Sequence, residues 1–241
     1  MKKYLKYIMA AVVLAGMIVP WLFENYDHPV AHEVNNIEYI EQPDDITCGP
    51  TSALMVLKRY GKNVTLDQVK AEAKTQWLTY QGKPIGMTSP DYLARSMTKL
   101  GVPSRMRPGT TAKVKHFVSK NRPVIVLVRS SNLTWHYVVV IGYDEHKIVV
   151  ADPSRGARRE MPIQDFESCW AFTTDMDGVP VTNPCGVCAG SGKVFTLDLG
   201  PVFLCDVCGG SGRQPDYVGS LLRTADVYSN TMIVPSIHTD N

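Results

Sequence analysis

The sequence predicts an α+β domain in which helices come first and an antiparallel sheet follows. Three observations carry this expectation. Segments with helix starts and stops fill residues 51–120, β-branched runs fill residues 123–151, and two of those runs are joined only by Asp144, Glu145 and His146. The first helix is read from Thr51 to Tyr60, with Gly61 as the residue that ends it. Pro50 suits its first turn, where a missing N–H costs nothing. A second helix follows Thr65 over residues 66–73. A third covers residues 90–100, with Ser89 as cap and Gly101 as stop, and another is expected over residues 111–120. Strands are expected over residues 123–128, 135–143 and 147–151, all β-branched and bounded by turn residues. Residues 74–88 read as loop, and residues 215–241 as a tail without pattern whose polar end is mobile.

The short turn makes the last two strands a hairpin. Folding the chain about residue 145 sets Asp152 opposite Val138, one pleat from His136 and on the same face. A slip of one residue would move the carboxylate to the other face.

Composition narrows the function classes. The chain has 241 residues, enough for one catalytic domain and a small module. A net charge of +2 is too small to imply a nucleic-acid partner, and Arg155, Arg158 and Arg159 read as a solvated loop. The N-terminus is different. Lys2, Lys3 and Lys6 precede an apolar run over residues 8–23, broken only by Gly16 and Pro20. A positive flank before an apolar stretch is an export signal, with the lysines left in the cytoplasm. No small-x-small cleavage site follows, so the first reading of residues 1–24 is a membrane anchor; a cleaved signal peptide and a buried core helix are the alternatives. Either of the first two places everything after Glu24 outside the cytoplasm, with residues 25–36 as a linker.

The chemistry centres on Gln42-Pro-Asp-Asp-Ile-Thr-Cys48-Gly49-Pro50. A thiol at a helix start is favoured as thiolate by the macrodipole, and thiolate is the reactive form. The other reading of Cys48 is a small buried cysteine. His136 can serve as base and Asp152 can fix its tautomer and stabilise the imidazolium; alternatively, the first is a hydrogen-bonded core histidine and the second caps the Pro153 turn. Gln42 can donate its amide to an oxyanion beside the Cys48 backbone N–H, although a surface glutamine is equally ordinary. Together these are a nucleophile, base, orienting carboxylate and oxyanion donor, the parts of an acyl-transfer site. Cys169, between Ser168 and Trp170, is expected to be buried and inert.

Gln42-x5-Cys48-Gly49-Pro50, the His136-Tyr137 strand and Asp152-Pro153 resemble the C39-like cysteine peptidases, which include bacteriocin leader-processing domains. The resemblance covers residues 37–174 and implies a papain-like fold. It also implies Cys48 as nucleophile, His136 as general base, Asp152 as its orienting partner and Gln42 in the oxyanion hole. Many members cut after a double-glycine leader while fused to an ABC exporter. The export signal here is expected to put the peptidase on the opposite side of the membrane from such fused domains.

Cys185-Gly-Val-Cys188-Ala-Gly-Ser-Gly192 recurs as Cys205-Asp-Val-Cys208-Gly-Gly-Ser-Gly212. Two such pairs can close tetrahedrally on one zinc ion, and four thiolates leave no open position, so the metal is structural. Paired disulfides are the alternative in an oxidising space. Residues 193–204 read as a hairpin arm. The repeat resembles the zinc-binding region of DnaJ-type co-chaperones, without a J-domain signature. Residues 183–214 thus read as a small zinc ribbon that binds a protein partner.

The function expected is a cysteine endopeptidase acting on peptide or protein substrates outside the cytoplasm. Its rivals are a chaperone-like binding module on the same scaffold and an acyl transferase using the same residues.

Overall fold

The computed structural model describes residues 28–80, 83–130, 134–172, 174, 176–177, 193–194, 203–204 and 228–236. Strand β1 (His32–Glu33) is followed by α1 (Cys48–Arg59) and α2 (Leu66–Glu72). A hairpin of β2 (Gln76–Tyr80) and β3 (Lys83–Met87) precedes α3 (Pro90–Lys99), β4 (Ser104–Pro108) and α4 (Thr111–Ser119). The meander β5 (Val124–Arg129), β6 (Trp135–Tyr143), β7 (Lys147–Asp152) and β8 (Gly156–Pro162) then leads into α5 (Ile163–Trp170). Further on lie β9 (Lys193–Val194), β10 (Phe203–Leu204) and β11 (Thr231–Pro235).

The helices form where the caps predict. Thr65 and Gln68 make a reciprocal capping box on α2, and Ser89 accepts from the Tyr92 N–H at the start of α3. Gly61 follows α1 with φ of +71°, a conformation that leaves the helix path at no steric cost.

Seven strands make one antiparallel sheet in the order β4-β11-β5-β6-β7-β8, with β1 continuing the β5 edge of β6 at Gly142 and Tyr143. Helices cover both faces. Tyr137, Val139, Ile141, Val149 and Ala151 pack with α1 and α3, whereas Val138, Val140, Ile148 and Val150 pack with α4 and α5. That double burial explains why β5 and β6 read as unbroken apolar runs.

The β6–β7 register sets Val139 opposite Ala151 and Val140 opposite Val150, so Asp152 falls opposite Val138 as the folded pattern predicts. It gets there by another route. The turn sets Tyr143 opposite Ile148 and Gly142 opposite Val149, and a bulge between Val140 and Gly142 absorbs the extra residue, Ile141. Without that bulge Asp152 would pair with Val139 and face away from His136.

Elsewhere the structure departs from the sequence reading. Residues 32–34, taken as linker, join the sheet: Val34 is buried and its N–H donates to the Ile141 carbonyl at 2.6 Å. Residues 76–80 and 83–87, expected as loop, pair as the antiparallel strands β2 and β3. Residues 231–235, taken as patternless tail, form a wholly buried strand between β4 and β5. The domain therefore closes with a segment that follows the cysteine repeat.

Among the described residues no helix is long and apolar enough to cross a membrane; the apolar run over residues 8–23 lies outside them. So do Cys185, Cys188, Cys205 and Cys208. Between those pairs, Val194 pairs with Phe203 and Lys193 with Leu204; the rest of the expected hairpin arm lies outside the described residues.

Candidate active site

Helix α1 begins at Cys48 itself, so the half-buried thiol sits in the positive first turn of a helix that has no acidic residue there to cancel the dipole. The next residue must be small. A Cβ on Gly49 would lie 3.0 Å from Cδ2 of the Tyr137 ring. Tyr137 is also held by its hydroxyl, which donates to the Thr88 carbonyl at 2.7 Å, and its own carbonyl accepts from Ser52 Oγ at 3.2 Å. Burial, then the neighbouring Cys48 and Tyr228, push its phenol well above the ordinary range. The first turn of α1 is thereby clamped to β6 one residue from His136.

His136 is 8% exposed, and its Nε2 lies 2.6 Å from Asp152 Oδ1. With Nε2 engaged, Nδ1 is the ring nitrogen left for a second partner, and the Cys48 side chain is near enough to raise the imidazole pKa. Burial alone would lower the imidazole pKa. Hydrogen bonds with Asp152 and Cys48, and their charges, outweigh it and raise the pKa to about 9. Asp152 is fully buried. Burial would push its carboxyl up, but the bond and charge of His136, with two bonds from Ser154, hold it below the ordinary value. Oδ2 faces the guanidinium of Arg159, with Nη1 at 3.7 Å. A thiol, an imidazole and a carboxylate in this order are the parts of a nucleophile, a base and its orienting partner.

Gln42 lies at the edge of this group. Its backbone N–H donates to the Pro153 carbonyl at 2.9 Å, which ties its loop to the turn after Asp152. Its side-chain nitrogen donates to the Asp44 carbonyl at 2.6 Å, leaving one amide hydrogen uncommitted by that bond. His136 and Asp152 are bonded and Cys48 acts on the imidazole from the start of α1, while no bond links Gln42 to the thiol or imidazole among the described residues.

Several contributors escaped the sequence reading. Ser154 donates N–H and Oγ to Asp152 Oδ1 at 2.9 and 3.0 Å. Tyr39 donates its hydroxyl to the Asp152 carbonyl at 3.2 Å, and Arg159 comes from a strand taken as solvated loop. The Asp152-Pro153-Ser154 spelling signals the first of these, because Asp side chains accept from the N–H two residues on. Asp152 therefore both caps its turn and engages the histidine. Cys169 is buried on α5, its thiol donating to the Phe166 carbonyl at 3.3 Å. No cluster able to hold a metal occurs among the described residues.

Comparison with known proteins agrees with this architecture. The lactococcin-G-processing and transport ATP-binding protein LagD of Lactococcus lactis subsp. lactis is 28% identical over 133 residues, which cover 54% of this chain and 17% of that protein. The chain thus spans only a small part of that relative's length. A C39-like peptidase from Bacillus anthracis has the same fold, with a TM-score of 0.52 at 19% identity over 60% of this chain and 94% of that one. The peptidase domain of Streptococcus ComA scores 0.45 at 24% identity, covering 55% of this chain and 91% of that one. Residues 34–176, more than half of the chain, match the Peptidase_C39 like family, and the chain belongs to that family of cysteine peptidases.

Proposed function

We propose that the domain is a cysteine endopeptidase that hydrolyses peptide bonds through Cys48, His136 and Asp152, with Gln42 assisting. One observation carries the reading: the His136 imidazole lies 2.6 Å from Asp152 Oδ1, and Cys48 at the start of α1 is near enough to raise its pKa. The sulfur anion attacks the substrate carbonyl carbon, and the oxygen becomes an oxyanion met by the Cys48 backbone N–H and the second amide hydrogen of Gln42. Collapse expels the amine, which takes its proton from the imidazolium and leaves a thioester on Cys48. Neutral His136 then accepts a proton from water, hydroxide adds to the thioester, and the acid product departs as the thiolate returns. Asp152 stays ionised throughout and keeps the imidazole in one orientation.

The substrate is a peptide or protein, as the name of LagD also implies for that relative. The lysine-flanked run over residues 8–23 anchors the chain in a membrane and sets the domain outside the cytoplasm. Cys185, Cys188, Cys205 and Cys208 hold one structural zinc ion, a reading supported by their paired spacing around the β9–β10 arm. The stems of that segment lie at the site. On one side Met176 accepts from Arg159 at 3.2 Å and Asp177 pairs with Arg155 at 3.1 Å; on the other, Tyr228 packs with the cluster containing Tyr137. A zinc module in that segment would receive a protein substrate, a reading supported by these stem contacts.

Digestion of a peptide library by the purified chain tests the reading. Products should be free acids, should include amides when an amine is added, and should vanish with Cys48→Ala. Cleavage that survives Cys48→Ala, or a folded wild type that cleaves nothing, refutes it.

A further inference from the structure

Asp152 Oδ1 carries an unusual load. It accepts from His136 Nε2 at 2.6 Å, Ser154 N at 2.9 Å and Ser154 Oγ at 3.0 Å, all in a site without solvent access to the carboxylate. Ser154 Oγ also lies 3.2 Å from His136 Nε2, so the hydroxyl touches both members of the pair. Oδ2 has no hydrogen bond and looks toward Arg159 Nη1 at 3.7 Å. A guanidinium prefers both oxygens of a carboxylate. Rotation about the Asp152 Cβ–Cγ bond would satisfy Arg159 at the expense of the imidazole. The hydroxyl of Ser154, beside the imidazole, opposes that rotation because its single O–H is given to Oδ1.

We infer that Ser154 is a positioning residue of the active site: its hydroxyl locks the Asp152 carboxylate toward His136 and against capture by Arg159. The inference rests on the triad reading for its consequence in catalysis, but its geometry is that of Ser154, Asp152, His136 and Arg159 alone. The charged and titratable groups that face the pair are Cys48 from α1, Arg159 from β8 and Tyr39, whose hydroxyl bonds the Asp152 carbonyl. None of these supplies a second side-chain donor to Oδ1. The backbone N–H of Ser154 stays in any variant, so the hydroxyl can be removed without removing the turn.

The test is residue-specific NMR titration of the His136 imidazole in the full chain as wild type, Ser154→Ala and Ser154→Thr. Peptide turnover by the same proteins is measured in parallel. In Ser154→Ala the His136 midpoint should fall by about one pH unit, and kcat should fall about tenfold with KM unchanged. Ser154→Thr, which keeps the hydroxyl, should hold both near wild type. An unchanged midpoint in Ser154→Ala overturns the proposal, even if that variant melts lower, because a purely structural serine would do that. An equal fall in Ser154→Thr overturns it too. Failure of the peptidase reading would show separately, as a wild type without Cys48-dependent cleavage, while the titrations still decide the role of Ser154.

Discussion

Replacing Asp152 with Asn isolates the charge of the carboxylate from its shape. The amide oxygen can still accept from Ser154 and His136, so the turn and the ring orientation survive. The charge does not. His136 is raised from 6.5 to about 9 against the opposing effect of burial. At 1.36 kcal/mol per unit this is a net preference for imidazolium of about 3 kcal/mol. Asp152 supplies the first of the effects that raise it, with Cys48 beside it. In Asp152→Asn the burial penalty remains while that support is lost, so the midpoint should return to about 6.5 or below. At pH 8 the wild-type ring is about nine-tenths protonated and the variant ring about one part in thirty. The alkaline limb of kcat/KM should therefore move from about pH 9 to below 7, with a loss near thirtyfold at pH 8. The stability contribution has a definite sign. It is complete below the unfolded histidine pKa near 6.5 and disappears as pH rises through about 9, so the two proteins should converge in stability above that pH. A variant that keeps its alkaline limb near 9 would refute the reasoning.

Gly49→Ala places a Cβ 3.0 Å from the Tyr137 ring. It should cost about 1–2 kcal/mol in denaturant unfolding and lower kcat more than it raises KM, since the displaced turn carries the nucleophile. Ending the chain at residue 227 removes β11, in which Met232, Ile233 and Val234 are each at most 1% exposed. At about 2 kcal/mol per side chain the loss is roughly 6 kcal/mol, comparable with a whole domain's stability, so circular dichroism should show an unfolded chain. A chain with residues 178–227 replaced by a short linker should instead stay folded. Metal analysis of the full chain should find about one zinc per chain, lost together with Cys185→Ser and Cys205→Ser, while cleavage of short peptides persists.

Legibility in the sequence followed local chemistry. Caps at Thr65 and Ser89 mark two helix starts, and the stop at Gly61 one helix end, to within a residue or two, because a cap is written in neighbouring residues; the first helix itself starts at Cys48, three residues before Thr51. Of the candidate site, the His136–Asp152 pair was legible because Asp152 lies one folded hairpin from His136. The bulge at Ile141 was not legible, since nothing in a β-branched run shows where a ladder takes an extra residue. Its effect was anticipated only because a symmetric three-residue turn gives the same register. Strand β4 hid because its Arg105, Met106 and Arg107 are exposed on a sheet edge, where charge replaces apolar alternation. Strand β11 hid for the opposite reason: five buried residues are too few to declare a partner more than a hundred positions away in the chain. Ser154 and Arg159 acquire their roles only from tertiary contact with Asp152.

The most direct measurement is the rate at which iodoacetamide alkylates Cys48 in the folded chain at pH 6.5, followed by mass spectrometry of the peptide containing that residue. A thiol activated by the neighbouring imidazole should react at least tenfold faster in wild type than in His136→Ala, where the base is gone. Equal and slow alkylation in both proteins would contradict a Cys48–His136 pair as the source of the chemistry.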